Sequence, residues 1–374
     1  KSMSELSEDK SIRAKRGANN NQLASRRVGT GISTLAHKHI SILKLKYIHR
    51  KPRPYGNFSI ENYFQTIGEQ LSKKVEVSHW NAPFFSKGFF NRFWSMQAVR
   101  ALRKADIYHI TGDTHFLIWG VRRDKKKVLT IHDLGFLRDS KGIKRMILKY
   151  FWLTGPMKKA DAVTTVSVAT KNDILRFFPK YRKKIHVIPT VIDPRFTPVE
   201  KVFNIERPTI LLLGSAPNKN LKRVLKATKG LNVHLSIVAQ LDAEEKALLA
   251  GQSYEVASSI SFESLLEKYQ QTDIVMLCST LEGFGMPIIE AQATGRVVLT
   301  SNCSSMPDVA GKGALLVDPF SIKSMREGLE KLISDSKLRD TLINEGFENV
   351  KRFLPETISE MYFEVYSGLV KRGK

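Results

Sequence analysis

Two glutamates eight residues apart, Glu282 and Glu290, flank the start of a turn-and-helix segment that reads STLEGFGMPIIEAQATGRVVLTS over residues 279–301. Gly283 and Gly285 allow a backbone to come close to a ligand, and Pro287 suits the first position of a helix whose free N–H groups attract an anion. Carboxylates on such a turn can accept hydrogen bonds from sugar hydroxyls. The plainer alternative is a helix with an acidic first turn stabilised by its dipole. A second segment, LLLGSAPNKNLKRVLKA (211–227), ends a strand at Gly214 and passes through Ser215 and Asn218. It then opens a basic helix at Lys219-Asn220. Loop amides and a lysine at a helix start form a cradle for a diphosphate. The segment is neither a Walker A sequence nor G-x-G-x-x-G, which weakens ATPase and dinucleotide readings. An ordinary strand-to-helix turn with solvated lysines remains the alternative.

VLTIHDL (128–134) sets His132 at the carboxyl end of a strand, where an imidazole can hold a hydroxyl or answer developing charge. A hydrogen-bonded structural histidine fits the same pattern equally well. HITGDTH (109–115) offers His109, Asp113 and His115, but not at zinc-ligand spacing, so no metal site is assigned. No Asp-x-Asp occurs in the chain, which argues against a nucleotide held through a divalent cation.

These segments must be positioned by a repeated architecture. Strands are expected at Ile42–Ile48, Val75–Trp80, Asp106–Ile110, Val128–His132, Ala162–Ser167 and Ile185–Ile188, with helices near 58–72, 91–104, 142–154 and 168–178 between them. Four prolines over 189–208 mark a linker. Strands then recur at Thr209–Leu213, Val233–Val238, Ile260–Phe262, Ile274–Leu277, Val297–Thr300 and Leu315–Val317. The second set of helices falls near 219–229, 241–251, 263–271, 287–294 and 319–334. Repeated strand–helix units imply parallel sheets covered on both faces. The chain therefore reads as α/β, with two doubly wound, Rossmann-like domains facing a central cleft. Its divisions are a basic polar tail (1–40), a first domain (41–192), a linker (193–207), a second domain (208–352) and a C-terminal helix (353–374) that packs back on the first domain. Ligands of open parallel sheets bind beyond the carboxyl ends of the strands, so the cleft is the expected site.

The 374 residues carry a net charge of +24, and the imbalance is confined to one half. Residues 1–200 hold 39 basic and 15 acidic side chains, whereas the remainder holds 21 of each. The first half is thus expected to meet something anionic: nucleic acid, a membrane face or a phosphorylated acceptor. Two stretches join this charge to apolar side chains, FFSKGFFNRFW (84–94) and KGIKRMILKYFWLTGPMKK (141–159). Two cysteines, Cys278 and Cys303, are too few for a disulfide framework and suit a reducing cytosol. Residues 1–30 are polar and basic rather than signal-like, and no apolar run is long enough to span a membrane.

Taken together, EGFGMPIIEAQATG (282–295), SNCSSMPDVAGKGALLVDP (301–319), VTTVSVATKNDILRFF (163–178) and IPTVIDPRFTP (188–198) resemble the retaining glycosyltransferases of family four. The resemblance runs over about residues 42–370 and implies the GT-B fold with a nucleoside-diphosphate sugar as donor and no cofactor. It implies that Glu282 meets the donor sugar near its reacting carbon, that Glu290 binds the ribose hydroxyls, and that Lys219 holds the diphosphate. Gly283, Phe284, Gly285 and Met286 would form the loop around sugar and phosphate, with Gly214, Ser215, Asn218 and Asn220 beside it. His132 would reach the sugar from the first domain, and the base would lie around Ser258–Phe262. Two departures stand out. Ser215 occupies a position that is arginine in many relatives, and the glycine-rich loop of the first domain is only faintly present at Tyr55-Gly56-Asn57.

By family analogy the acceptor is anionic or lipid-linked and belongs to bacterial polysaccharide or lipopolysaccharide synthesis. The enzyme is then expected in the cytoplasm, in peripheral contact with the inner membrane face through its basic domain. Three other readings stay open: a basic nucleic-acid or membrane binder on the same scaffold, an epimerase or phosphorylase, and an inactive sugar-binding subunit. No recognised nucleic-acid motif appears, and that reading leaves the paired glutamates unexplained.

Overall fold

The computed structural model describes residues 42–52, 59–138 and 142–371. The basic tail at 1–40 and the Tyr55-Gly56-Asn57 loop lie outside the described residues. Two six-stranded parallel sheets organise the rest. The first is built from β1 (Lys44–His49), β2 (Glu76–Asn81), β3 (Ile107–Ile110), β4 (Lys126–Ile131), β5 (Ala162–Thr165) and β6 (Ile185–Val187), in the order β2-β1-β3-β4-β5-β6. The second comprises β7 (Thr209–Leu213), β8 (His234–Val238), β9 (Ser253–Ala257), β10 (Ile274–Leu277), β11 (Val297–Ser301) and β12 (Leu315–Val317), in the order β12-β11-β10-β7-β8-β9. The central strands β3, β10 and β11 are buried along their whole length, as parallel strands covered on both faces must be.

Strand order fixes where ligands can sit. In the second sheet the direction of winding reverses between β7 and β10, so a crevice opens beyond their carboxyl ends. The two loops leaving those strands are residues 214–220 and 278–285, the segments singled out above for their chemistry.

One expected strand is wrong. Ile260–Phe262 forms no strand; Ser261 instead caps the helix Phe262–Gln271, its Oγ accepting from the Ser264 amide at 3.1 Å. The sheet edge is β9, Ser253–Ala257, whose residues are all at least partly exposed. An edge strand covered on one side carries no apolar run, so its sequence gives little signal. The helix Ser336–Val350 was also not expected. Its cap, Asp335, accepts from the Leu338 amide at 2.9 Å. The helix expected over 142–154 is divided into an α-helix Gly142–Leu148, a wider π-turn Lys149–Thr154 and a further α-turn Gly155–Lys159.

The segment 193–207 is tied to the second half rather than hanging free. Asp273 accepts from the amides of Thr209 (2.8 Å) and Asn204 (3.1 Å) and pairs with Lys201. The last helix, Pro355–Lys371, packs on Ser59–Leu71 of the first half, with Tyr63 and Tyr362 hydroxyls 2.8 Å apart.

That crossing helix closes over the buried His109, and His49 is buried nearby with its partner His79 at the surface. His109 bonds Tyr366 Oη at 2.6 Å and Thr130 Oγ1 at 2.7 Å, while His49 bonds His79 at 2.9 Å and Thr111 Oγ1 at 2.9 Å. Burial, reinforced by the neighbouring histidine, brings His49 down to about 4, and burial holds His109 well below the ordinary histidine value. The unfolded chain takes up protons near pH 6.5 while these rings stay neutral, so stability is full above that pH and falls as the pH drops toward 4. His49 alone accounts for about 3 kcal/mol of that loss. Melting curves between pH 7.5 and 4.5 should show a steep drop that begins near pH 6.5. A flat melting temperature down to pH 5 would contradict the neutrality of these rings.

Candidate active site

The loop after β7 is shaped by one glycine and one asparagine. Gly214 has φ +85°, and the Lys219 side chain folds across it, so that a β-carbon there would meet Lys219 Cγ at 3.3 Å. A short 3-10 turn, Pro217–Lys219, ends on Asn220 in the left-handed region (φ 62°), from which the helix Leu221–Thr228 departs. Asn220 Nδ2 donates to the carbonyls of Cys278 (3.0 Å) and Pro319 (2.7 Å), and Asn218 Nδ2 to Leu281 (2.9 Å). Both asparagines therefore spend their amides clamping the loop after β7 to the loop after β10. Ser215 Oγ donates to the Gln240 carbonyl at 2.5 Å.

The clamp brings the two charged groups together. Lys219 Nζ lies 2.8 Å from Glu282 Oε1, and Ser279 Oγ donates to the same oxygen at 2.7 Å. The backbone of Glu282 is held from the far side, its carbonyl accepting from Ser304 Oγ at 2.9 Å and Ser305 Oγ at 3.0 Å. Ser305 also donates to the Phe284 carbonyl at 2.7 Å. Ser304 is one of three non-glycine residues among those described with positive φ (58°), a conformation that the surrounding bonds must maintain. These serines were legible only as part of the 301–319 segment; nothing in their spacing announced a grip on Glu282.

Phe284 is buried against Phe353, their rings nearly perpendicular at 5.5 Å, so only its backbone faces the turn. Gly285 has φ +105° and precedes the helix Met286–Ala293, with Pro287 in its first turn. One helical turn on, Tyr269 Oη donates to Glu290 Oε2 at 2.5 Å. Glu290 as a residue keeps some solvent contact, but its carboxylate is enclosed, and that burial pushes its pKa up to about 7 against the opposing pull of the Tyr269 hydrogen bond and the Lys219 charge. Asp193 adds to the upward push, and its partner Arg195 stacks on the Phe262 ring with the guanidinium 3.5 Å from the centroid.

The first half supplies His132. Its Nε2 donates to the Thr111 carbonyl at 2.8 Å, which leaves Nδ1 as the acceptor of a neutral ring, and enclosure lowers its pKa. The two halves touch at this point. A β-carbon on Gly283 would stand 2.6 Å from the His132 carbonyl oxygen, so only glycine permits the approach. Thr170 Oγ1 lies 3.2 Å from that same carbonyl and 3.4 Å from the Gly283 carbonyl, a hydroxyl shared across the junction that the sequence did not reveal. A small cleft beside it is lined by Asp133 and Asp173 from one half and by Glu282 and Ser304 from the other.

Lys219, Glu282, Gly283, Gly285, Met286 and Glu290 thus share one crevice wall, with His132 brought up against it. Ser215, Asn218 and Asn220 border the crevice but bond to main-chain carbonyls. His109 and His115 belong to structural hydrogen bonds instead, the latter to the Trp152 carbonyl at 2.7 Å. Among the described residues, no cluster of three or more histidine, cysteine or carboxylate side chains is arranged to hold a metal ion. The arrangement offers a cation and helix amides for an anion, and carboxylates for hydroxyl groups.

Two family models match the chain in tandem, "Glycosyltransferase Family 4" over residues 49–196 and "Glycosyl transferases group 1" over 196–349. Among curated proteins, the MMP alpha-(1->4)-mannosyltransferase of Mycolicibacterium hassiacum is 27% identical over 232 residues, covering 58% of this chain and 56% of that enzyme. The chain thus spans little more than half of that relative's length. The O-antigen chain mannosyltransferase of Salmonella typhimurium is 24% identical over 282 residues, covering 70% and 77%. Among solved structures, an Anabaena protein in complex with UDP and glucose superposes with a TM-score of 0.68 at 15% identity, covering 87% of this chain and 100% of its own. That likeness shows the shared two-sheet GT-B architecture.

Proposed function

Because the chain belongs to the family-four glycosyltransferases, we propose that it moves a sugar from a nucleoside-diphosphate donor to a hydroxyl acceptor, with retention of anomeric configuration. The observation that carries this reading is the Lys219–Glu282 pair at the carboxyl ends of β7 and β10, with Glu290 one helix turn away. The donor's diphosphate competes with Glu282 for the Lys219 ammonium. As the phosphate takes the cation, Glu282 is released to accept from the sugar, so donor binding itself arms the carboxylate. Departure of the diphosphate is then eased by Lys219 and by the amides at the start of Met286–Ala293, in a water-poor crevice where such charges act strongly. No cofactor is assigned. Charge neutralisation falls to these groups, and the chain carries no Asp-x-Asp for a bridging cation.

Glu290 is placed on the ribose hydroxyls, with Arg195 and Phe262 near the base. His132 would hold the sugar through Nδ1 from the opposite half. Sugar orientation then depends on the junction at Gly283 and Thr170, which makes closure part of catalysis. The acceptor is proposed to be anionic or lipid-linked, on the evidence of the first half's charge, in bacterial surface-polysaccharide synthesis of the kind named for the Salmonella relative. The place of action is then the cytoplasmic face of a membrane. Among the described residues no helix is long and apolar enough to cross one. Proton NMR of the first-formed product tests the stereochemistry. An α-linked product from an α-linked donor supports retention, and a β-linked one overturns it.

A further inference from the structure

We propose that the first half docks on the surface of an anionic lipid bilayer through one composite patch, made by the helix Phe89–Ala101 and the segment Gly142–Thr154. The two stretches are some fifty residues apart in sequence, yet both pack on the 3-10 turn His115–Trp119. Arg92 places its guanidinium 4.7 Å over the Trp152 ring, and Trp119 faces Tyr150 and Phe151 with ring centroids 6.3 and 6.5 Å away. Large apolar side chains stand out from both: Phe89 and Phe90 are 73% and 75% exposed, Ile143 and Met146 76% and 71%. Trp94, Ile147, Tyr150 and Phe151 are also exposed. Soluble surfaces rarely gather so many such groups without a partner.

Charge identifies the partner. Residues 82–104 contain five lysines and arginines, residues 142–159 five more, and neither stretch contains an aspartate or glutamate. A protein partner would leave a rim of mixed charge. Single-stranded nucleic acid would want flat rings spaced for stacking, a role Ile143, Met146 and Ile147 cannot fill. Aromatic and aliphatic side chains that enter the acyl boundary, ringed by cations at phosphate level, match an anionic bilayer surface.

The patch is also wired to the crevice. Trp152 Nε1 donates to the Asp113 carbonyl at 2.7 Å, and two residues earlier the Thr111 carbonyl accepts from His132. Docking through this patch would bring the linked cleft toward the headgroup layer. On the transferase reading, that is where a lipid-linked hydroxyl would be presented.

Flotation of the full chain with vesicles of phosphatidylcholine, alone or mixed with phosphatidylglycerol, tests the surface. The wild type should float only with the anionic vesicles and release as salt rises. Phe89→Ser with Phe90→Ser, and separately Ile143→Ser with Met146→Ser, should each lower partitioning by about tenfold or more. Arg145→Glu should lower it by about tenfold. These side chains are exposed, so melting temperature and nucleotide-sugar binding should stay at wild-type values. Loss of flotation with both intact supports the patch, and flotation without any nucleotide-sugar binding would count against the transferase reading alone. Equal flotation with neutral vesicles, undiminished flotation in all three variants, or none in the wild type would overturn the proposal. So would single-stranded nucleic-acid binding that the same substitutions abolish while vesicles go unbound.

Discussion

Glu282→Gln should lower turnover by about a hundred- to a thousandfold while leaving the melting temperature within about 3 °C of wild type. The glutamine oxygen can still accept from Lys219 and from Ser279, which lie 2.8 and 2.7 Å from the native carboxylate. The turn itself is held through the Glu282 main chain by Ser304 and Ser305, so its shape does not depend on the side-chain charge. On the proposed role, the substitution removes a negative charge beside the carbon that would become electron-poor as the diphosphate leaves. Donor affinity should rise modestly, because the diphosphate no longer competes with a carboxylate for Lys219, so the loss appears in turnover alone. Steady-state transfer kinetics beside a thermal melt decide the matter. Parallel loss of activity and melting temperature would assign Glu282 a structural role only.

Lys219→Met carries the second large effect. The native ammonium is the only cation that the loop after β7 aims at the Glu282 turn, since Ser215 stands where many relatives have an arginine. A charge-assisted contact of this kind is worth about 10- to 100-fold in affinity. The expected result is that much weaker binding of nucleoside diphosphates, with the bare nucleoside bound as before. Turnover should fall further still, because the departing diphosphate carries more charge than the bound one. Titration calorimetry with diphosphate and nucleoside separates these effects. Equal weakening of both ligands would place Lys219 on the base or ribose instead.

Much of the fold was legible because central parallel strands are continuous apolar runs ended by glycine, serine or histidine, as at β7, β10 and β4. The edge strand β9 was not, since one covered face demands no such run. The site's backbone was legible in part: Gly283 and Gly285 were expected to allow a close approach, which for Gly283 is that of the His132 carbonyl rather than of a ligand, and Lys219 stands just before a helix. The site was obscure where the work is done across the fold. Thr170 reaching His132 and Gly283, and Ser304 and Ser305 gripping Glu282, are separated from their partners by 22 to 113 residues. Short polar side chains of that sort are common everywhere and gain meaning only when β11 delivers Ser304 and Ser305 beside β10, and the helix after β5 brings Thr170 to Gly283. His109 and His115 show the converse, since residues that looked chemically apt in sequence are bonded into the core. The asparagines beside Lys219 fall between, being adjacent to the crevice yet committed to carbonyls.

We propose above that the crevice at the ends of β7 and β10 binds a nucleoside-diphosphate sugar, with Glu290 on its ribose. Titration of a panel of such donors into the wild type and into Glu290→Gln, in chelator-treated buffer across pH 6 to 8, tests it most directly. One donor should bind best. Its affinity should rise with pH through about 7, as the enclosed Glu290 carboxylate ionises and can accept from both ribose hydroxyls. Glu290→Gln should bind about tenfold more weakly or worse and lose that pH dependence. Wild-type failure to bind any donor in the panel, or equal binding by the variant at every pH, would contradict the account.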